Sequence, residues 1–129
     1  MKPNLMLIVA SLVTLVLVLC HLTQDVLLQA EGAMKYPIPV VISVVWLYGT
    51  LVWSDRVPGY VIMLLGGVIA AGMIVVHSRG YVVHKSGGFF FVWTLFALSA
   101  TGWFTAILSA RELWRALRAR RSPDARVGR

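Results

Sequence analysis

The stretch GYVIMLLGGVIAAGMIVVH, Gly59 to His77, decides the fold. It holds no Asp, Glu, Lys or Arg, and its apolar residues run on without alternating with polar ones. A helix crossing hydrocarbon needs about 17–25 such residues, at about 1.5 Å of rise each. A barrel strand would be shorter and would alternate. The stretch therefore predicts a membrane-spanning helix.

Three more runs of the same kind flank it. With the first they predict helices over about 5–23, 38–55, 59–77 and 89–110. The run beginning at Ile38 is short, and needs Tyr36, Pro37, Ser54 and Asp55 at its ends or a locally thinned bilayer to reach across. Composition agrees with this reading. Hydrophobic residues make up 59% of the 129 residues and charged residues 13%, against about 45–50% and about 25% in soluble domains. A chain this small has too little interior to hide that much apolar surface from water. The expected fold class is an all-α membrane protein: a single four-helix bundle over residues 1–121, followed by a disordered basic tail at 122–129.

The first run ends LVLVLC at Cys20, which resembles a lipoprotein signal. A signal peptidase needs small residues before its cut. Leu19 is large, and Ala30 lies beyond Gln24, Asp25 and Gln29. The segment reads as a retained helix. The lone Cys offers no intramolecular disulfide and no cysteine-based metal site.

Charge placement sets the expected orientation, because Lys and Arg stay on the cytoplasmic side. With four spans, both termini share a side. That side carries Lys2, Arg56, Arg111, Arg115, Arg118, Arg120, Arg121, Arg126 and Arg129, and the other carries Lys35, Arg79 and Lys85. Both termini are expected inside, in a bacterial inner membrane. The net charge of +7 invites a nucleic-acid reading. Leu113, Trp114 and Leu117 at helical spacing among arginines fit a better one, an amphipathic extension of helix four over 111–121. Arg111, Trp114, Arg115, Arg118, Arg120 and Arg121 would meet anionic headgroups there, each cation contributing about 1 kcal/mol.

Helices in lipid associate through small residues that let backbones approach. Helix three offers Gly66, Gly67, Ala70 and Ala71. Helix four offers Ala97, Thr101, Thr105 and Ser109 on one stripe, with Gly102 and Ala106 on the next. Helices three and four are expected to form the tight pair, with helix one left more exposed to lipid or to another protein. Trp46, Tyr48 and Trp103 lie deep in their runs, and their polar atoms favour a position inside the bundle.

The chemistry-bearing residues collect at the outer end: His21, Asp25, His77 and His84. His21 and Asp25, four apart, share a helix face. A metal site would take His21, Asp25 and His77. A haem would use His21 and His77 as axial ligands, and a quinone would take a proton from a histidine. The plainer alternative is that these are amphipathic residues at helix ends. On a straight helix His77 and His84 would stand about 10 Å apart, so His84 joins only if the loop folds back. No charged residue lies mid-run, which gives no ion path across the membrane. No nucleophile–base pair and no phosphate loop is present in the string. The leading expectation is a non-enzymatic accessory or scaffold subunit of a larger membrane complex or homo-oligomer. A small redox or ligand-binding protein comes second, and a small transporter third.

Overall fold

The structure is a computed structural model that describes residues 4–27, 37–78 and 88–121. His84 and the tail at 122–129 lie outside the described residues. Four helices follow in chain order: α1 Leu5–Leu27, α2 Pro37–Val52, α3 Val57–Ser78 and α4 Gly88–Arg121. No strand occurs among the described residues. α1, α3 and α4 are long and apolar enough to cross a membrane. α2 is shorter, 16 residues, or about 24 Å. Pro37 and Pro39 sit in its first turn, where a missing N–H removes no helical bond.

Successive helices run antiparallel. Asn4 meets Glu112, Thr14 meets Thr105 and Gln24 meets Thr94, so α4 descends as α1 climbs. The start of α1 and the end of α4 thus lie at one end of the bundle, and His21 and His77 lie at the other. The α2–α3 turn is tight. The Arg56 N–H donates to the Trp53 carbonyl at 3.0 Å and the Tyr60 N–H to the Arg56 carbonyl at 3.1 Å. Gly59 is required there, because a Cβ would overlap the Trp53 carbonyl oxygen.

α3 and α4 form the tight pair, and the reason is visible at Gly67 and Gly102. A Cβ on Gly67 would stand 2.8 Å from the Ala106 nitrogen, and one on Gly102 would stand 2.6 Å from the Ala71 nitrogen. Backbone rests on backbone, and Ser99 Oγ donates across to the Ala71 carbonyl at 2.9 Å. The neighbouring Gly66 does a different job: a Cβ there would overlap the Trp46 ring of α2. Ala70, Ala71, Thr105, Ala106 and Ser109 are buried as well. Ala97 and Thr101 are only half-buried, since their stripe rolls toward the open side of α1.

Two expectations are corrected. Helix one is not the peripheral element. Its inner face buries Leu7, Ala10, Ser11, Thr14, Leu15, His21 and Asp25, and hydroxyls tie it to its neighbours. Thr50 donates to the Trp46 carbonyl at 2.9 Å, so Ser11 donates to Thr50 at 2.8 Å. The Trp46 indole N–H then donates to Ser11 at 2.8 Å. Thr14 is likewise spent on the Ala10 carbonyl, so Thr105 donates to Thr14 at 3.0 Å. The outermost helix is α2, which buries only Ser43, Trp46, Gly49 and Thr50. The second correction concerns the deep aromatics. Trp46 points inward, but Tyr48 and Trp103 are 50% and 58% exposed, on an apolar flank that suits lipid contact.

α4 continues unbroken through the expected extension, reaching 34 residues, or about 51 Å. Arg111, Arg115, Arg118, Arg120 and Arg121 are exposed on it, and the Arg118 guanidinium lies 4.0 Å over the Trp114 ring. One face still packs. Glu112 is buried, accepting from Asn4 Nδ2 at 3.0 Å and Arg115 at 2.9 Å. Asn4 Oδ1 in turn accepts the Leu7 N–H at 3.3 Å, capping α1.

Candidate metal centre

The far end of the bundle holds a second group of buried polar side chains. α1 supplies His21 and Asp25, one turn apart on its inner face. α3 supplies His77 from its last turn, and α4 lays Phe91 across them. His21 is fully buried, and Asp25 and His77 are 5% and 8% exposed. The latch between Thr94 and Gln24, 2.8 Å long, fixes α4 against α1 one residue before Asp25.

Asp25 Oδ2 stands 3.7 Å from His21 Nε2 and 3.8 Å from His77 Nε2. Both separations exceed a hydrogen bond. His77 Nδ1 lies 3.0 Å from the Met73 carbonyl. A carbonyl only accepts, so Nδ1 carries a proton, and in the neutral ring Nε2 is the nitrogen left with a lone pair. Neither ring nitrogen of His21 reaches a hydrogen-bond partner among the described residues. One ligand atom from each of the three residues lies within 4.8 Å of the others. Ligands about 2.0–2.1 Å from a tetrahedral ion stand about 3.3 Å apart. The two contacts to Asp25 would close on an ion by about half an ångström each, and the widest separation among the three, up to 4.8 Å, by about 1.5 Å. Two imidazoles and a carboxylate suit zinc or ferrous iron, and leave coordination positions vacant. The Met73 carbonyl acts as the outer partner that fixes a ligating imidazole's tautomer.

The same contacts bear on haem. The His21 and His77 rings meet edge to face with centroids 4.8 Å apart, and Phe91 lies 5.0 Å and 5.8 Å from them. That packing leaves no space for a porphyrin between the two imidazoles.

Of His21, Asp25, His77 and His84, singled out in the sequence, the first three are brought together and His84 lies outside the described residues. Two contributors carry no signal of their own in the string. Phe91 is one aromatic in a run of three, and Met73 acts through its backbone. Glu112, the second buried acid, is masked in sequence by the arginines around it. Comparison with protein-family models, with curated proteins and with solved structures finds no match to this chain.

Proposed function

We propose that this chain is a small integral membrane protein that binds one divalent first-row transition-metal ion through His21, Asp25 and His77. The observation that carries the reading is His21, an imidazole wholly withdrawn from water, with neither nitrogen hydrogen-bonded among the described residues and one facing a carboxylate. Polar groups buried like this are normally satisfied. An ion would take the His21 and His77 lone pairs and the Asp25 charge together.

The bundle sits in this reading as four spans with both termini cytoplasmic, in a bacterial inner membrane. Asn4 and Glu112 share one end, and most cationic residues lie at that end or follow it. The exposed arginines of α4 and Trp114 meet anionic headgroups. The test is to purify the protein from its own membranes, exchange it into metal-free buffer and measure metals by elemental analysis. About one equivalent per chain is expected, falling at least about tenfold in His21→Ala and His77→Ala. Wild-type protein that stays folded and takes up no zinc, iron or manganese refutes the proposal.

A second reading, an accessory subunit, is favoured by one observation. An open apolar groove of about 620 Å³ runs between α1 and α4, lined by Met6, Val9, Val13, Thr101 and Phe104 among others. It would receive a helix of a partner subunit or of a second copy. Cross-linking from cysteine placed at Val13 in native membranes tests it: a discrete adduct supports the reading, and cross-links to lipid alone reject it.

A further inference from the structure

Beside the metal triad lies a second cavity, of about 130 Å³. Its walls include Val18 and His21 of α1, Ser43 and Trp46 of α2, Met73 of α3 and Leu98 of α4. We infer that this cavity is a chamber for a small uncharged molecule of the size of dioxygen, positioned to meet an ion held by His21, Asp25 and His77. The inference rests on the metal-binding reading for the second half of that statement only.

The chamber's polarity follows from where its few polar groups point. The Ser43 hydroxyl donates to the Pro39 carbonyl at 2.9 Å. The Trp46 indole N–H donates to Ser11 at 2.8 Å. Both are thus committed elsewhere. Among the side chains of the lining, His21 alone keeps polar atoms without a hydrogen-bond partner among the described residues. A water needs two to four polar partners, and apolar cavities of about 150 Å³ stay dry and admit benzene or xenon. A diatomic gas fits with room to spare, whereas an ion finds only His21 to replace its hydration.

Access has the same character. Ile42 and Ile69 belong to the wall and are 40% and 51% exposed on the apolar flank. The way in therefore leads from hydrocarbon, a solvent that favours small uncharged molecules over ions. Chamber and triad share two residues. His21 belongs to both, and Met73 lines the chamber while its carbonyl holds the His77 proton. Two histidines and one carboxylate are also the donor set that leaves ferrous iron with positions open to a gas.

The experiment uses the full-length protein in detergent, loaded anaerobically with ferrous iron and titrated with nitric oxide, an uncharged diatomic probe. Electron paramagnetic resonance reads the iron–nitrosyl complex, and elemental analysis reads iron in the same samples. A nitrosyl signal matching the iron content is expected. Ser43→Leu, which fills the chamber, should keep its iron and weaken nitric oxide binding at least about tenfold. Val18→Phe repeats the test if Ser43→Leu loses iron or fold. Iron retained with unchanged nitric oxide affinity in the filled variant overturns the inference. So does azide, a charged ligand, binding as readily as nitric oxide. If the wild-type protein takes up no metal, the metal reading falls, and xenon-129 exchange on the metal-free protein decides the chamber by itself. Xenon binding that Ser43→Leu abolishes supports the chamber, and absence of xenon binding refutes it.

Discussion

Two glycines on one bundle should respond to the same substitution with opposite signs. Gly102 faces α3, and a Cβ there meets the Ala71 nitrogen at 2.6 Å, the Gly67 oxygen at 2.8 Å and the Ala70 Cβ at 2.9 Å. Two of these are backbone atoms, so no side chain can swing aside. Reaching ordinary contact needs the helices to part by about 0.8 Å along the seam. Overpacking of that kind costs about 1–3 kcal/mol. Alanine recovers about 0.8–1.0 kcal/mol over glycine within a helix. Gly102→Ala is therefore expected to lose up to about 2 kcal/mol net. Gly72 lies on α3, five residues beyond Gly67, and a Cβ there meets nothing within 4 Å. Gly72→Ala has only the propensity gain, up to about 1 kcal/mol. Reversible unfolding in mixed micelles, followed by circular dichroism as denaturing detergent is raised, measures both. If Gly102→Ala gains as much stability as Gly72→Ala, the backbone contact is not what holds α3 to α4. If Gly72→Ala falls as far as Gly102→Ala, the loss is not steric.

Trp46→Phe removes the indole donor to Ser11 and should cost about 0.5–1.5 kcal/mol in the same assay, with Ser11→Ala giving a non-additive double mutant. Glu112→Ala leaves Asn4 and Arg115 without their acceptor. It should cost about 1–3 kcal/mol, and Glu112→Gln less, since an amide oxygen can still accept from Asn4. Metal binding should weaken on acidification, by about tenfold per pH unit for each proton that the ion displaces, because imidazole and carboxylate bind metal only when deprotonated. Equilibrium dialysis against zinc at several pH values checks the sign, and affinity that rises toward acid would exclude this ligand set. A green-fluorescent-protein fusion after Arg129 should fluoresce and an alkaline-phosphatase fusion there should be inactive, and the reverse pattern rejects the cytoplasmic C-terminus.

The elements were legible because their signal is coarse. Uncharged runs of spanning length located the helices, and the small residues of α3 and α4 forecast their close approach. What the string hid was direction around each helix. Gly66 and Gly67 are adjacent yet serve different neighbours, since one residue turns the helix by about 100°. Helix one looked polar-poor because Ser11 and Thr14 are sparse. Set beside His21 and Asp25, however, they fall on one stripe at steps of three, four and seven, the seam of a packed helix. For the histidine site, the pairing of His21 with Asp25 could be read from its spacing. The arrival of His77 could not, because it depends on α3 running parallel to α1 at matching height. Tyr48 and Trp103 were misjudged by depth alone. Each large ring sits on the outward face, where lipid replaces a protein partner.

The polar layers of the bundle also weigh against treating the histidine cluster as mere helix packing. Ser11, Thr50 and Trp46 close their bonds at 2.8 and 2.9 Å. Thr14 and Thr105 do so at 3.0 Å. Glu112, a buried acid, is met at 3.0 and 2.9 Å. These six side chains thus meet partners at ordinary distances, whereas the buried Ser109 Oγ meets none among the described residues. A proton between His21 and Asp25 would draw them into the same range, near 2.7–2.9 Å for a charge-assisted bond. They stand 3.7 Å apart instead, with His77 at 3.8 Å on the other side. Local disagreement with an otherwise consistent structure marks a functional site. Here two imidazoles and a carboxylate bring one ligand atom each within 4.8 Å of the others, and this is why the cluster and not the groove leads the proposed function.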